Sequence, residues 1–212
     1  VRVMASKILE ILNDFENYLG KDYNFDFALL NAKDYGIPQN RERFFLIGNR
    51  LGINTKLIFE DIRKHYKRGF VLKDVLDGLP ELKSKPFKNN NNQNNKDFGY
   101  KITKQILPKT SYSSYINDGN DVSYLLNHKN RYNNARDIEI FRRLPQGANS
   151  LHESIKDIMP YSNRNHIFKD KYYKLKENEI SKTITSHMKF DCNMYIHPKE
   201  ARGISPREAA RI

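Results

Sequence analysis

Acidic residues are scarce in this sequence. Among 212 residues, 25 Asp and Glu stand against 37 Lys and Arg, a formal net charge of +12 at pH 7. That imbalance makes a polyanion the first partner to consider. Cysteine occurs once, as Cys192. A single thiol excludes an internal disulfide and fits the cytoplasm, where we expect the protein to act. No apolar run approaches the roughly 18 residues a membrane-spanning helix needs, and no signal-peptide pattern is read at the start. No membrane partner is expected. What is present is enough for a core: 38% apolar residues, including 12 Phe and 13 Tyr. A mean hydropathy of −0.79 describes a modest core under a solvated surface. The chain opens on Val1 and closes at Ile212 in a helix barely begun. We therefore expect a fragment or one part of a split protein.

Met4, Ile8, Ile11, Leu12, Phe15 and Leu19 recur at helical spacing, with Gly20 as a stop. Phe27 to Leu30 and Phe44 to Ile47 are short, wholly apolar runs, the second ended by Gly48. Strands apolar on both faces predict a sheet covered on both sides. Residues 1–70 thus read as the tail of an α/β domain. A polar tract, Asn89 to Asn95, reads as a surface loop. Beyond it, short apolar groups alternate with Asn, Lys, Arg and Tyr. Ile138, Phe141 and Leu144 mark a short helix over Asp137 to Leu144, broken by Gly147. Residues 71–180 read as an irregular, basic α+β region.

Chemistry concentrates in the run from Asn31 to Gly48. Gly36 and Pro38 punctuate the chain, and Gln39-x-Arg41-x-Arg43 follows. If this stretch is extended, these three side chains share a face. Two guanidiniums on one face call for an anion or a carbonyl edge between them. The alternative is a strand edge with both arginines paired to Glu42 or Asp34. At the other end, Ser205, Pro206 and Glu208 have the spacing of a capping box with a helix-starting proline.

The run Asn31-Ala32-x-x-Tyr35-Gly36-x-Pro38-Gln39-x-Arg41-x-Arg43 resembles the eighth motif of the DNA cytosine-5 methyltransferases. Ser181 to Ser186 resembles the Thr-containing element that ends their target-recognition region, followed by Tyr195-Ile196-His197-Pro198. Arg202 to Arg211 resembles their ninth motif, with Ile204 for Leu and Ser205 for Thr. The stretch from about Arg68 to Ile180 matches only loosely, as a region that varies with specificity would.

The resemblance implies a fold: the C-terminal part of a Rossmann-like, S-adenosylmethionine-dependent α/β domain, plus an irregular α+β target-recognition domain. Residues 181–212 close that domain and begin a return helix. It implies roles as well. Arg43 is expected to bond O2 of the target cytosine and Arg41 to brace the site. Gln39 orders the loop or contacts DNA, Thr183 contacts DNA, and Arg207 holds the recognition region against it. Lys129, Arg131, Arg142 and Arg143 are candidate phosphate contacts, though any single one of them also reads as a solvated surface charge.

The family's nucleophile is a cysteine after a proline, assisted by a glutamate in a Glu-Asn-Val segment. Neither segment is in this sequence, nor is a glycine-rich loop near its start. Cys192 follows Asp191, a neighbour that raises a thiol's pKa, so it is not read as a nucleophile. His187, Cys192 and His197 fit no zinc-finger spacing, and no metal is expected. S-adenosylmethionine is expected to bind mainly to segments this chain does not contain. The expected partners are double-stranded DNA and an N-terminal catalytic half, giving a monomer when complete, in a bacterial restriction-modification system. The alternative is a non-catalytic specificity subunit or an inactive relic.

Overall fold

In the computed structural model the described residues are 2–19, 22–65, 69–88, 95–160, 171–185 and 192–212. The chain forms two compact units. Unit 1 holds residues 1–36 and 41–68, and unit 2 holds residues 37–40 and 69–212. Gly20, Asn89 to Asn94, Ser186 and His187 lie outside the described residues, as does the Cys192 side chain.

Unit 1 begins with helix α1, Arg2–Leu19. Strand β1, Asn24–Asn31, pairs antiparallel with β3, Glu42–Asn49, in a register that sets Leu30 opposite Arg43 and Ala28 opposite Phe45. Gly48 lies within β3, which runs on to Asn49. Helix α2, Thr55–Lys64, follows β3 and packs on both strands. The Asn54 side chain caps it by accepting Lys56 N–H, and Asn24 Oδ1 takes the Thr55 hydroxyl at 2.8 Å.

The expectation of strands covered on both faces needs correction. Ala28 and, on α2, Phe59 are buried. The alternate residues are not: Phe27, Leu29, Phe44 and Leu46 are 43, 64, 40 and 38% exposed. Alternation along a strand sends these four to one face, where the Phe27 and Phe44 rings stack at 5.5 Å. Among the described residues of this unit nothing buries that face. Ile11 and Phe15 of α1 are also exposed. An apolar run tells that a strand is made for burial, not what covers it.

Unit 2 contains β2, Gln39–Asn40, in parallel pairing with β6, Ser181–Lys182. Short helices α3, Leu72–Leu76, and α4, Ser111–Ile116, give Leu72, Val75 and Tyr112 to one core with Leu175, Tyr195, Ile204 and Ile212. Helix α5, Ala135–Arg143, gives Ile140 and Phe141 to a second core with Leu144, Ile155, Tyr172 and Ile196. It is capped by Asn134, whose side chain accepts Asp137 N–H at 2.8 Å.

Strands β4, Gly99–Lys104, and β5, Tyr124–Lys129, pair antiparallel, and the last helix, α6, Pro206–Arg211, packs on β5. Asn127, in mid-strand, has φ +57°. Asn is among the few residues that adopt this left-handed conformation readily. The kink resets the alternation of β5, so that Leu125 and His128 are both buried.

Candidate functional site

In unit 1 the motif's first asparagine sets the geometry. Asn31 Oδ1 accepts Lys33 N–H at 3.2 Å, which caps the turn over Ala32–Asp34, and Arg41 N–H at 3.0 Å. Ala32 N–H donates to the Arg41 carbonyl at 3.0 Å. Arg41 is therefore fixed at both backbone polar groups. Gly36 turns the intervening chain at φ +82°, a conformation glycine adopts without strain.

Beside this loop is a half-open cavity of about 430 Å³. Leu30, Phe45, Ile47, Phe59 and Ile62 give it an apolar wall, with Arg41 and Arg43 on it. Arg43 Nη1 donates to the Glu42 carbonyl at 2.6 Å. That bond goes to the backbone and not to the Glu42 carboxylate. Two cationic forks on an apolar wall suit a flat ligand with acceptor atoms on its edge.

Arg41 and Arg43 line the same cavity of unit 1. Gln39 belongs to unit 2 and is buried there. Its side-chain oxygen accepts Ile184 N–H at 3.3 Å. Ser181 N–H donates to the Pro38 carbonyl at 2.8 Å, and the Thr183 hydroxyl donates to the Asn40 carbonyl at 2.6 Å. Two segments far apart in sequence, each singled out by its motif, are thus stitched into one seam.

The third motif folds around a buried ion pair. Arg202 is fully buried and forks onto Glu208 at 2.8 and 2.7 Å, while its Nε donates to Glu200 at 2.7 Å. Glu208 also accepts Ser205 N–H at 2.6 Å, and Ser205 Oγ accepts Glu208 N–H at 3.2 Å. The expected capping box is present, and its glutamate has a second role as the counter-ion of Arg202. Burial opposes ionisation of Glu208, yet the Arg202 fork brings its pKa down to about 2. Burial likewise opposes the charge on Arg202, but Glu208 and Glu200 raise its pKa.

Two neutral histidines line the same cluster. His128 Nε2 lies 2.7 Å from the Pro80 carbonyl, which can only accept, so Nε2 carries the proton. Nδ1 is then the acceptor for the Ser205 hydroxyl at 3.0 Å. His197 Nδ1 accepts Lys199 and Glu200 N–H at 3.2 and 2.9 Å. Burial and the Arg202 charge push its pKa down to about 4. The sequence drew attention to Arg207 here and missed Arg202. Capping alone accounted for Glu208, so nothing prompted a search for its partner. The six-residue spacing from Arg202 to Glu208 across a glycine was the available signal.

The other basic candidates lie in unit 2. Arg207 Nε donates to the Leu126 carbonyl at 2.7 Å, beside the Asn127 kink. Arg142 pairs with Glu139, and Arg143 with Glu139 and Asp157 at 2.9 and 3.0 Å. Solvent-exposed pairs of this kind contribute little, so a phosphate can displace them. Lys129 and Arg131 are half-buried at the end of β5 and just beyond. Cys192 opens a short 3₁₀ turn, Cys192–Met194. Among the described residues no helix is long and apolar enough to cross a membrane.

A solved structure of a prophage-encoded DNA modification methyltransferase from E. coli superposes with a TM-score of 0.58 at 19% identity, over 97% of this chain and 54% of that one. The fold, mixed α/β, is thus shared with a DNA methyltransferase. A family model, C-5 cytosine-specific DNA methylase, matches residues 4–212, and the chain belongs to that family. It is 26% identical over 256 residues to the type II methyltransferase M.OihORF3336P of Oceanobacillus iheyensis, covering 92% of this chain and 54% of that protein. It is 32% identical over 133 residues to M1.ScrFI of Lactococcus lactis subsp. cremoris, covering 57% and 33% respectively. The chain therefore spans about half, or less, of the length of these relatives.

Proposed function

We propose that this chain is the base-orienting and DNA-reading part of a DNA cytosine-5 methyltransferase, one that methylates C5 of a cytosine flipped out of a short duplex sequence. The observation that carries this reading is the pair of guanidiniums, Arg41 and Arg43, on the apolar cavity of unit 1. A flipped cytosine is flat and carries an acceptor, O2, on its edge. Arg43 donates to O2 and offsets the negative charge the ring gains when a nucleophile adds at C6. Arg41, held through Asn31, braces the site. Extrusion of the base is required because C5 and C6 are out of reach within the stack.

Unit 2 reads the duplex in this proposal. Gln39 orders the seam, Thr183 contacts the DNA backbone, and Arg207 holds β5 in place for it. Lys129, Arg131, Arg142 and Arg143 neutralise phosphates. S-adenosylmethionine supplies the methyl group in this reaction. Arg41 and Arg43 do not fit its sulfonium, since two guanidiniums repel a cation. Its binding is assigned, with the nucleophilic cysteine, to a catalytic half outside the sequence given. The exposed face of Phe27, Leu29, Phe44 and Leu46 supports this division, because it is shaped for burial. The setting we propose is a bacterial restriction-modification system in the cytoplasm, with the complete enzyme a monomer.

The test is to mix the chain with a catalytic half bearing a Pro-Cys segment and to follow methyl transfer to duplex DNA. Transfer by the mixture and by neither part alone is expected. A mixture that assembles and binds DNA but transfers nothing would leave a specificity subunit or an inactive relic.

A further inference from the structure

A buried tyrosine ties the core of unit 2 to the segment that carries Thr183. The Tyr195 ring is buried in the core formed with Leu72, Val75, Tyr112, Leu175 and Ile204. Its hydroxyl donates to the Thr183 carbonyl at 2.9 Å and accepts Thr185 N–H at 3.2 Å. A carbonyl can only accept, so the tyrosine proton points to Thr183. One oxygen atom thus holds both ends of the stretch Thr183-Ile184-Thr185.

The same stretch is held from its other side. Ile184 N–H donates to Gln39 Oε1 at 3.3 Å, and the Thr183 hydroxyl donates to the Asn40 carbonyl at 2.6 Å. Just before it, the Lys182 ammonium lies 4.9 Å from the Tyr173 ring centre and 5.2 Å from that of Tyr195. Thr183 has therefore spent its hydroxyl proton inside the protein. Thr185 is exposed, and its hydroxyl meets Tyr195 Oη at 3.4 Å, long for an O–H donor. Since the tyrosine proton goes to Thr183, Thr185 is the donor in that contact. A phosphate oxygen is a stronger acceptor than a phenol and can take the proton in its place. A tyrosine that only needed its own hydroxyl satisfied would require one partner, whereas Tyr195 makes three contacts, all on this stretch.

We propose that Tyr195 is a positioning residue for duplex binding: its hydroxyl sets the arc of residues 183–185 so that the Thr185 hydroxyl bonds a phosphate of the DNA backbone. Thr183, its proton held by Asn40, adds van der Waals contact beside it. This inference rests on the reading above that the chain acts on duplex DNA, and it names the residue that aims the segment.

The experiment measures affinity of the chain for a duplex of random sequence across a salt series. Tyr195→Phe keeps the ring and removes the hydroxyl. It is expected to bind about three- to tenfold more weakly, the scale for one lost hydrogen bond. The slope of log K against log salt should not change, because a neutral hydroxyl releases no counterions. Tyr112→Phe is the control. Tyr112 shares the core and donates its hydroxyl to the Arg211 carbonyl, so it loses a like bond without touching residues 183–185 and should bind as wild type. A second readout needs no variant: in the wild type, amide hydrogen exchange at Thr185 should slow further when the duplex is added. The positioning role is overturned, and the DNA reading stands, if the wild type binds but Tyr195→Phe keeps its affinity or Tyr112→Phe loses as much. It is overturned equally if the Tyr195→Phe slope changes, since the effect then runs through charge, or if exchange at Thr185 ignores the duplex. If the wild type does not bind the duplex at all, the DNA reading itself falls.

Discussion

The side-chain carbonyl of Asn31 accepts the backbone N–H of Arg41 at 3.0 Å, and the same oxygen caps the turn that begins at Ala32. One small side chain thus fixes the start of the loop and the arginine at its end. Asn31→Ala is expected to cost about 1–2 kcal/mol in chemical unfolding, the loss of a cap and a second bond. In the assembled enzyme, displacement of Arg41 is expected to lower methyl transfer by about 100-fold. Asn31→Asp keeps the acceptor and should recover most of the stability. Equal loss in both variants would show that the amide nitrogen matters instead.

Arg202 and Glu208 form an ion pair in which both partners are buried. Removing one leaves a buried charge, so Arg202→Ala is expected to destabilise unit 2 by about 3–5 kcal/mol in urea unfolding. Arg202→Lys should rescue little, because one ammonium cannot match the fork on Glu208 and the Nε bond to Glu200 together.

Acid should unfold unit 2 in two stages. His197 faces Arg202, Glu200, Glu208 and His128, and its pKa is lowered from 6.5 to about 4. Above pH 6.5 native and unfolded chains are both neutral here, and the fold keeps its full stability. Between 6.5 and about 4 the unfolded chain takes up a proton that the native one refuses, so stability falls, by up to about 3 kcal/mol. Glu208 adds a second loss as pH drops from 4.5 through about 2. His197→Gln should reduce the first stage, with His128, also held below its ordinary value by burial, carrying the remainder, and leave the second.

Gly99 and Gly119 make a matched pair. Both have positive φ, +85° and +74°. A Cβ at Gly99 would stand 2.1 Å from the His128 carbonyl, whereas one at Gly119 meets nothing within 4 Å. Gly119→Ala should cost about 1 kcal/mol, the conformational strain alone. Gly99→Ala should cost clearly more, because β4 must also move off β5. Thermal unfolding of the two variants compares them directly.

Local features were legible in the sequence. The helix over Arg2–Leu19 follows from its spacing, α6 from its capping box, and α5 from Ile138, Phe141 and Leu144. Non-local features were not. Nothing near Gln39 announces Ser181, because backbone pairing between distant segments leaves no mark in composition. The exposed face of Phe27, Leu29, Phe44 and Leu46 was misjudged because hydrophobicity records a need for cover and not its source. Arg202 escaped notice because its charge looked like one more basic residue in a basic chain. The kink at Asn127, which turns both Leu125 and His128 inward, has no signal beyond the tolerance of Asn for positive φ.

The most direct measurement compares Arg43→Ala with wild type in the assembled enzyme, recording the methyl-transfer rate and the duplex dissociation constant together. The account predicts a rate lower by at least about 100-fold, the scale for losing one preorganised electrostatic contact to the reacting group, with affinity nearly unchanged. A variant whose affinity falls as much as its rate would contradict it, since Arg43 would then be a phosphate contact and not the residue that orients the base.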